Sequence, residues 1–245
     1  MRVNRCFVDQ PLHAGLQLRL PESAATHLVR VLRAGIGDRC VLFNGDGRDY
    51  QAHLVAVGKR EVLVAIDAVT TVENESSLRI VLVQALARGE KMDLILQKAT
   101  ELGVAAFIPV ASERSEVRLD ADRVDKRIAH WRSVVASACE QCGRAVLPSV
   151  AAPVSLPAAM PDLPPDRTRL LLDPEATQAT GRLDLGSGYD VILAIGPEGG
   201  WSPRDRDVLR AAGFNGIRLG PRILRTETAG LAAIAALQSR YGDLG

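Results

Sequence analysis

The strongest constraint on the fold is a turn that occurs twice in the last third of this 245-residue chain. In "AIGPEGGWSP" (194–203) and in "RLGPRILRTETAG" (218–230), an apolar run ends in Gly-Pro, passes a charged residue and enters a helix start. Glycine lets the backbone approach a neighbour closely or take positive φ. Proline fixes the turn and removes a competing N–H. Strands that end this way, each followed by a helix, belong to an α/β layer on a mainly parallel sheet. Ligands of such sheets sit beyond the carboxyl ends of the strands. A third strand end, "LLLDPE" (170–175), has the same character. The two Gly-Pro turns therefore read as two walls of one site.

The surrounding pattern agrees. "LRIVLVQAL" and "VAAFIPVA" read as buried strands. Between them, "KMDLILQKATELG" reads as a helix with Met92, Ile95, Leu96, Ala99 and Leu102 inward and Gly103 as its stop. A long helix follows, with Val124, Ile128, Trp131, Val135 and Ala138 on one stripe. Ser202 and Pro203 open the next helix as N-cap and N1, with Asp205 as a shortened capping-box partner. Thr226-Glu227-Thr228 opens the last one, with a threonine as plain cap. That helix is apolar over most of its circumference, which predicts burial, in part against a second subunit.

The first seventy residues read differently. "RCFV" is a short strand, and Pro21 to Arg33 reads as one helix burying Ala24, Leu28, Val31 and Leu32. Asn44-Gly45-Asp46-Gly47 is a strong hairpin signal between two strands. Several short strands at this spacing suggest a small barrel. The polar stretch Thr70 to Ser77 reads as a linker, which divides the chain into domains 1–72 and 73–245.

Composition narrows the function classes. Formal net charge is +1, so no whole-chain argument favours nucleic acid, though a local basic groove is compatible with it. Arginine outnumbers lysine 26 to 4, which supplies planar forks for phosphate and base edges. Cys6 and Cys40 stand alone. Cys139 and Cys142 form a C-x-x-C without a second pair, so packing is favoured over metal or redox chemistry. His13, His27, His53 and His130 show no metal spacing. The chain lacks G-x-x-x-x-G-K-[ST], a G-x-G-x-x-G after the first strand of the α/β part, and G-x-S-x-G. No apolar run reaches membrane-spanning length, and the expectation is a soluble cytoplasmic protein.

The motifs then add up. "QKATELGV" (97–104), "IPVASERSEV" (108–117), "ACEQCGR" (138–144), "IGPEGGWS" (195–202) and "LGPRILRTETA" (219–229) occur in that order along the chain. Together they resemble the RsmE family of small-subunit rRNA uridine N3-methyltransferases, of the SPOUT superfamily. The resemblance spans nearly the whole chain, because "HLVRVLR" and the barrel-like start match the family's PUA-like RNA-binding domain. The family often has Glu where Asp205 stands and Ser where Cys142 stands. The resemblance implies a trefoil-knotted α/β domain, S-adenosylmethionine as cofactor and no metal. It also implies 16S rRNA or the small ribosomal subunit as partner, and a homodimer.

By the same resemblance, the cofactor is held by Leu172, Ile195, Gly196, Gly199, Leu219, Gly220 and Leu224, largely through backbone groups. N3 of uracil lies on the Watson–Crick edge and carries a proton, so the base must be unpaired or flipped. Arg225 is the first choice to stabilise negative charge on the base oxygens, with Arg114 and Arg144 as helpers. Glu198 and Glu227 are the carboxylates to orient groups or accept the proton. Arg30, Arg33, Arg118 and Arg222 are the candidate RNA contacts. A SPOUT enzyme acting on a ribose 2′-hydroxyl, or an RNA-binding protein without catalysis, would fit the same residues.

Overall fold

The computed structural model describes residues 3–58, 61–116, 121–185 and 189–245. Its internal contacts form two compact units. One is Met1–Glu75 with Ala136–Leu147; the other is Ser76–Val135 with Pro148–Gly245.

The first unit holds β1 (Asn4–Phe7), β2 (Gln17–Arg19), α1 (Glu22–Ala25), β3 (Arg39–Phe43), β4 (Arg48–Val57) and β5 (Val62–Thr71). The five strands form one mixed sheet in the order β1-β3-β4-β5-β2, with only β1 and β3 parallel. Gly45 and Gly47 take φ of 94° and 86° in the tight β3–β4 connection, a conformation that favours glycine. The Tyr50 hydroxyl donates to the Asp46 carboxylate at 2.6 Å and braces the loop from below.

The helix read over Pro21 to Arg33 is shorter than its periodicity predicts. After α1 the backbone passes into a π-helical turn, Thr26–Val31, closed by Leu32 N–H to His27 O at 3.0 Å. A π-turn carries more residues per turn and rotates the residues after it away from the 3.6-residue stripe. Ala24 and Leu28 therefore reach the core, while Val31 is 64% and Leu32 is 39% exposed. Leu28→Ala should cost about 3 kcal/mol in urea unfolding, since the side chain is wholly enclosed. Val31→Ala should stay within about 0.5 kcal/mol.

The second unit contains β6 (Arg79–Ala85), α2 (Glu90–Glu101), β7 (Val104–Ala111) and most of α3 (Ala121–Cys142). It continues with β8 (Ser149–Val150), β9 (Val154–Ser155), α4 (Leu156–Ala159), β10 (Thr168–Leu172) and β11 (Asp190–Ile195). It closes with α5 (Pro203–Ala211), β12 (Asn215–Ile217) and α6 (Thr226–Tyr241). The sheet runs β12-β10-β11-β6-β7-β8, with β9 also on β7, and every pairing is parallel. The strands β6 and β11 are buried almost end to end, as a sheet covered on both faces requires.

Helix ends follow their sequence signals in part. Gly103 takes φ of 85° after α2 and stops it. Ser202 and Asp205 form a complete capping box at α5, so the shorter aspartate suffices. The start of α6 differs from expectation: Arg225 is its N-cap, and no side chain accepts from the first turn. No helix among the described residues is long and apolar enough to cross a membrane.

Candidate active site

The carboxyl ends of β10 and β11 and the segment after β12 enclose a cavity of about 480 Å³. It lies where the sheet changes direction, since β6 continues to β7 on one side and borders β11 on the other. All seven residues expected to hold a cofactor line it: Leu172, Ile195, Gly196, Gly199, Leu219, Gly220 and Leu224. Arg225, Glu198, Arg114 and Arg222 line it as well.

The walls are built by local chemistry. Gly196 lies against the buried Trp201 indole, and a Cβ at Gly196 would come within 3.3 Å of its nitrogen. A Cβ at Gly199 would come within 3.2 Å of the Arg114 side chain. Arg114 donates to the Gly199 carbonyl at 3.0 Å and holds that turn from outside. On the second wall, Gly220 takes φ of 70°. No backbone amide from Leu219 to Leu224 donates to another group among the described residues. The walls meet where the Thr226 hydroxyl donates to Gly196 O at 2.6 Å.

The cavity is locally basic although the chain is nearly neutral. Lys91, Arg114, Arg206, Arg218, Arg222 and Arg225 face a single carboxylate, Glu198. Arg206 is committed to Asp173 at 2.9 Å and Lys91 to Glu198 at 3.0 Å. Arg218, Arg222 and Arg225 have no ion-pair partner among the described residues, which leaves their charge available to an anionic ligand.

Burial by itself raises the Glu198 carboxyl, but hydrogen bonds from its own backbone N–H, from Lys91 and from the Arg88 amide outweigh it. The net direction is below the usual carboxylate range. A carboxyl held ionised in this way is a poor proton acceptor and a good orienting group. Because the folded value lies below the unfolded one, Glu198 favours folding above the ordinary carboxylate range. That contribution is lost as pH falls through the lowered value. Lys91→Met should move the Glu198 pKa up, which a carboxyl-carbon NMR titration would register; no movement would exclude Lys91 as the cause.

Other expected site residues lie elsewhere. Arg144 does not line the cavity. It is 5% exposed, belongs to the first unit, and donates to both Glu75 carboxylate oxygens at 2.9 and 2.5 Å. Its guanidinium is paired with Glu75 within that unit. Glu227 does not line the cavity either; it is half-buried, and its Oε2 has no partner among the described residues. Arg30 lies in the π-turn of the first unit, and Arg33, with φ of 56°, just beyond it. Arg118 falls outside the described residues. Cys139 is buried, and that burial pushes its thiol up to about 12. Among the described residues no His, Cys, Asp or Glu group has metal-binding geometry.

Reading the sequence missed Trp201, Arg206, Arg218 and Lys91 as lining residues. Trp201 was within reach, because it sits inside the "GPEGGW" turn. Arg206 and Lys91 lie in ordinary helical sequence and enter the site only through tertiary packing.

Comparison with known proteins places this geometry in a class. Residues 74–238 match an RNA methyltransferase domain, and residues 20–67 match an RNA methyltransferase PUA domain. A ribosomal RNA small subunit methyltransferase E from Buchnera aphidicola (Schizaphis graminum) is 32% identical, with 99% of this chain and 98% of that protein covered. A solved Legionella pneumophila protein in complex with the cofactor SAM is 37% identical, with both chains fully covered and a TM-score of 0.95. The ribosomal RNA small subunit methyltransferase E of Neisseria gonorrhoeae, bound to S-adenosyl methionine, is 38% identical over both full chains, with a TM-score of 0.91. The class is therefore that of RNA methyltransferases with a PUA domain. Within it, this chain belongs to the ribosomal RNA small subunit methyltransferase E family, the RsmE family that its motifs resemble.

Proposed function

We propose that this chain transfers a methyl group from S-adenosylmethionine to N3 of a uridine in the 16S rRNA of the small ribosomal subunit. The observation that carries the reading is one cavity lined by all seven expected cofactor residues and by Arg225. The residues fit the cofactor. The cavity volume lies within the range of about 300–1,000 Å³ usual for small-molecule sites. The backbone amides from Leu219 to Leu224 are free of protein acceptors among the described residues. Leu172, Ile195, Leu219 and Leu224 supply the apolar surface for an adenine ring.

When bound, S-adenosylmethionine supplies an electrophilic methyl group on a sulfonium. The chain itself orients the acceptor and stabilises charge. Arg225 is the group we assign to the negative charge that develops on uracil O2 and O4 as N3 gives up its proton to solvent water and becomes the nucleophile for the methyl group. Arg218 and Arg222 would attract the phosphate backbone to the cavity mouth. Glu198, kept anionic by Lys91 and two backbone amides, would orient a donor rather than take the N3 proton. The trefoil threading is supported by the path of the Arg218–Arg225 segment. It starts beside the edge strand β12, where Arg218 exchanges backbone hydrogen bonds with Gln178 and Thr180, and it leads into Thr226, whose hydroxyl donates to Gly196 O beyond β11. A homodimer is supported by the half-buried Leu231, Ala232 and Ala235 on α6. The site of action would be the cytoplasm, with the ribosomes.

Methylation of isolated small subunits, followed by nucleoside mass spectrometry, tests the reading. 3-Methyluridine is the expected product. A 2′-O-methyl nucleoside would move the chain to ribose chemistry, and absence of any product with bound cofactor would leave it an RNA-binding protein.

A further inference from the structure

We propose that Gln84 is a positioning residue for methyl transfer, acting through Thr226 to hold the two glycine-rich walls at a fixed separation. The proposal rests on reading the cavity as the methyl-transfer site. Gln84 lies in β6 opposite Ile195 of β11, and it is fully buried. It does not line the cavity. Its side-chain nitrogen is 2.9 Å from Ala85 O and 3.3 Å from Thr226 Oγ1, and Thr226 Oγ1 is 2.6 Å from Gly196 O.

Chemistry fixes the direction of this relay. A carbonyl only accepts, so Thr226 gives its one proton to Gly196 O. The Thr226 oxygen must then accept from Gln84, and Ala85 O accepts as well. Only the amide NH2 can serve both, which settles the orientation of the side chain. Gln84 Oε1 is left buried with no partner among the described residues. An unpaired buried acceptor costs about 1–3 kcal/mol, a cost that an apolar side chain of similar volume would avoid. The role of the amide is read from the two groups its NH2 joins, Ala85 O and Thr226 Oγ1.

What it holds is the join between the walls. Among the described residues, Thr226 to Gly196 is the only hydrogen bond linking 195–200 to 219–230. Gly196 opens the first wall. Thr226 is the first residue of α6 and directly follows Arg225. Gln84 fixes the lone pairs of the threonine hydroxyl and so aims its proton at Gly196. A slack relay would let Arg225 drift relative to the first wall, and a displacement of about 1 Å can cost on the order of 100-fold in rate.

Gln84→Met keeps the volume and removes both donors, Thr226→Val keeps the shape without the hydroxyl, and Thr226→Ser keeps the hydroxyl. Measured with saturating S-adenosylmethionine, Q84M and T226V should lower kcat on the order of 10- to 100-fold. Both should remain folded at the assay temperature, with T226V melting somewhat lower because Gly196 O loses its donor, and T226S should retain most of the wild-type kcat. Hydrogen exchange at 195–200 and 219–230 should accelerate in Q84M and T226V. Wild-type kcat in both variants would overturn the proposal, as would a loss that tracks unfolded protein or that T226S shares. If the wild-type chain methylates no small subunits, the reading of the cavity fails instead. Hydrogen exchange then still decides for Gln84, because unchanged protection in Q84M would end its positioning role.

Discussion

Arg225→Ala should cut methyl transfer on the order of 100- to 1,000-fold while leaving S-adenosylmethionine affinity within about tenfold, or about 1.4 kcal/mol. The two halves of this expectation have separate physical grounds. The Arg225 side chain is exposed at the cavity and has no ion-pair partner among the described residues, so truncation leaves no buried charge behind. Its backbone is held independently, because Arg225 O accepts from Ala229 N–H at 2.7 Å in the first turn of α6. The walls therefore survive. The loss is of a cation at the point where uracil becomes anionic, and removing one such donor costs on the order of 100- to 1,000-fold in rate. Single-turnover methylation and calorimetric titration with S-adenosylhomocysteine measure the two quantities. Turnover retained in the variant would remove Arg225 from catalysis.

Arg206→Met should be the most destabilising single change near the cavity. Asp173 follows the wall residue Leu172 and is 3% exposed. Its carboxylate accepts from Arg206 Nε at 2.9 Å and Nη2 at 3.2 Å, and it also accepts from the Glu175 amide at 3.0 Å. Removing the guanidinium strands a buried carboxylate, which typically costs about 3–5 kcal/mol. The urea midpoint should drop accordingly. Replacing Asp173 by Leu in the same chain should recover part of the loss, because neutralising both partners removes the stranded charge. An Arg206→Met protein with the wild-type midpoint would show that water or the neighbouring backbone solvates Asp173.

The walls were legible in the sequence because Gly-Pro after an apolar strand is a local signal, carried by the residues that form the turn. Seven wall residues and Arg225 followed from that signal together with the family resemblance, and the structure gathers them around one cavity. The helix stripes of α2 and α3 were legible for the same reason, since periodicity is local. The π-turn at Thr26–Val31 was not: one extra residue in a turn leaves composition and apolar spacing intact while it rotates Val31 and Leu32 into solvent. Arg144 was not legible either, because its partner, Glu75, lies 69 residues earlier. Thr226 read as a helix cap. Its hydroxyl instead reaches a carbonyl 30 residues away, which no local rule anticipates.

The course of α3 bears on how such a protein can be taken apart. Its last residues and the stretch after it, Ala136–Leu147, belong to the same compact unit as the amino-terminal sheet. Glu140 accepts from the Phe7 amide, Arg144 O accepts from Arg5, and Asn74 donates to Gly143 O. Cutting the chain once just after Glu75 would strip these partners from the amino-terminal segment. Moving the amino-terminal unit onto another protein as a working module thus takes two splice points, one on each side of an intervening stretch. A graft made at a single junction would deliver an incomplete unit.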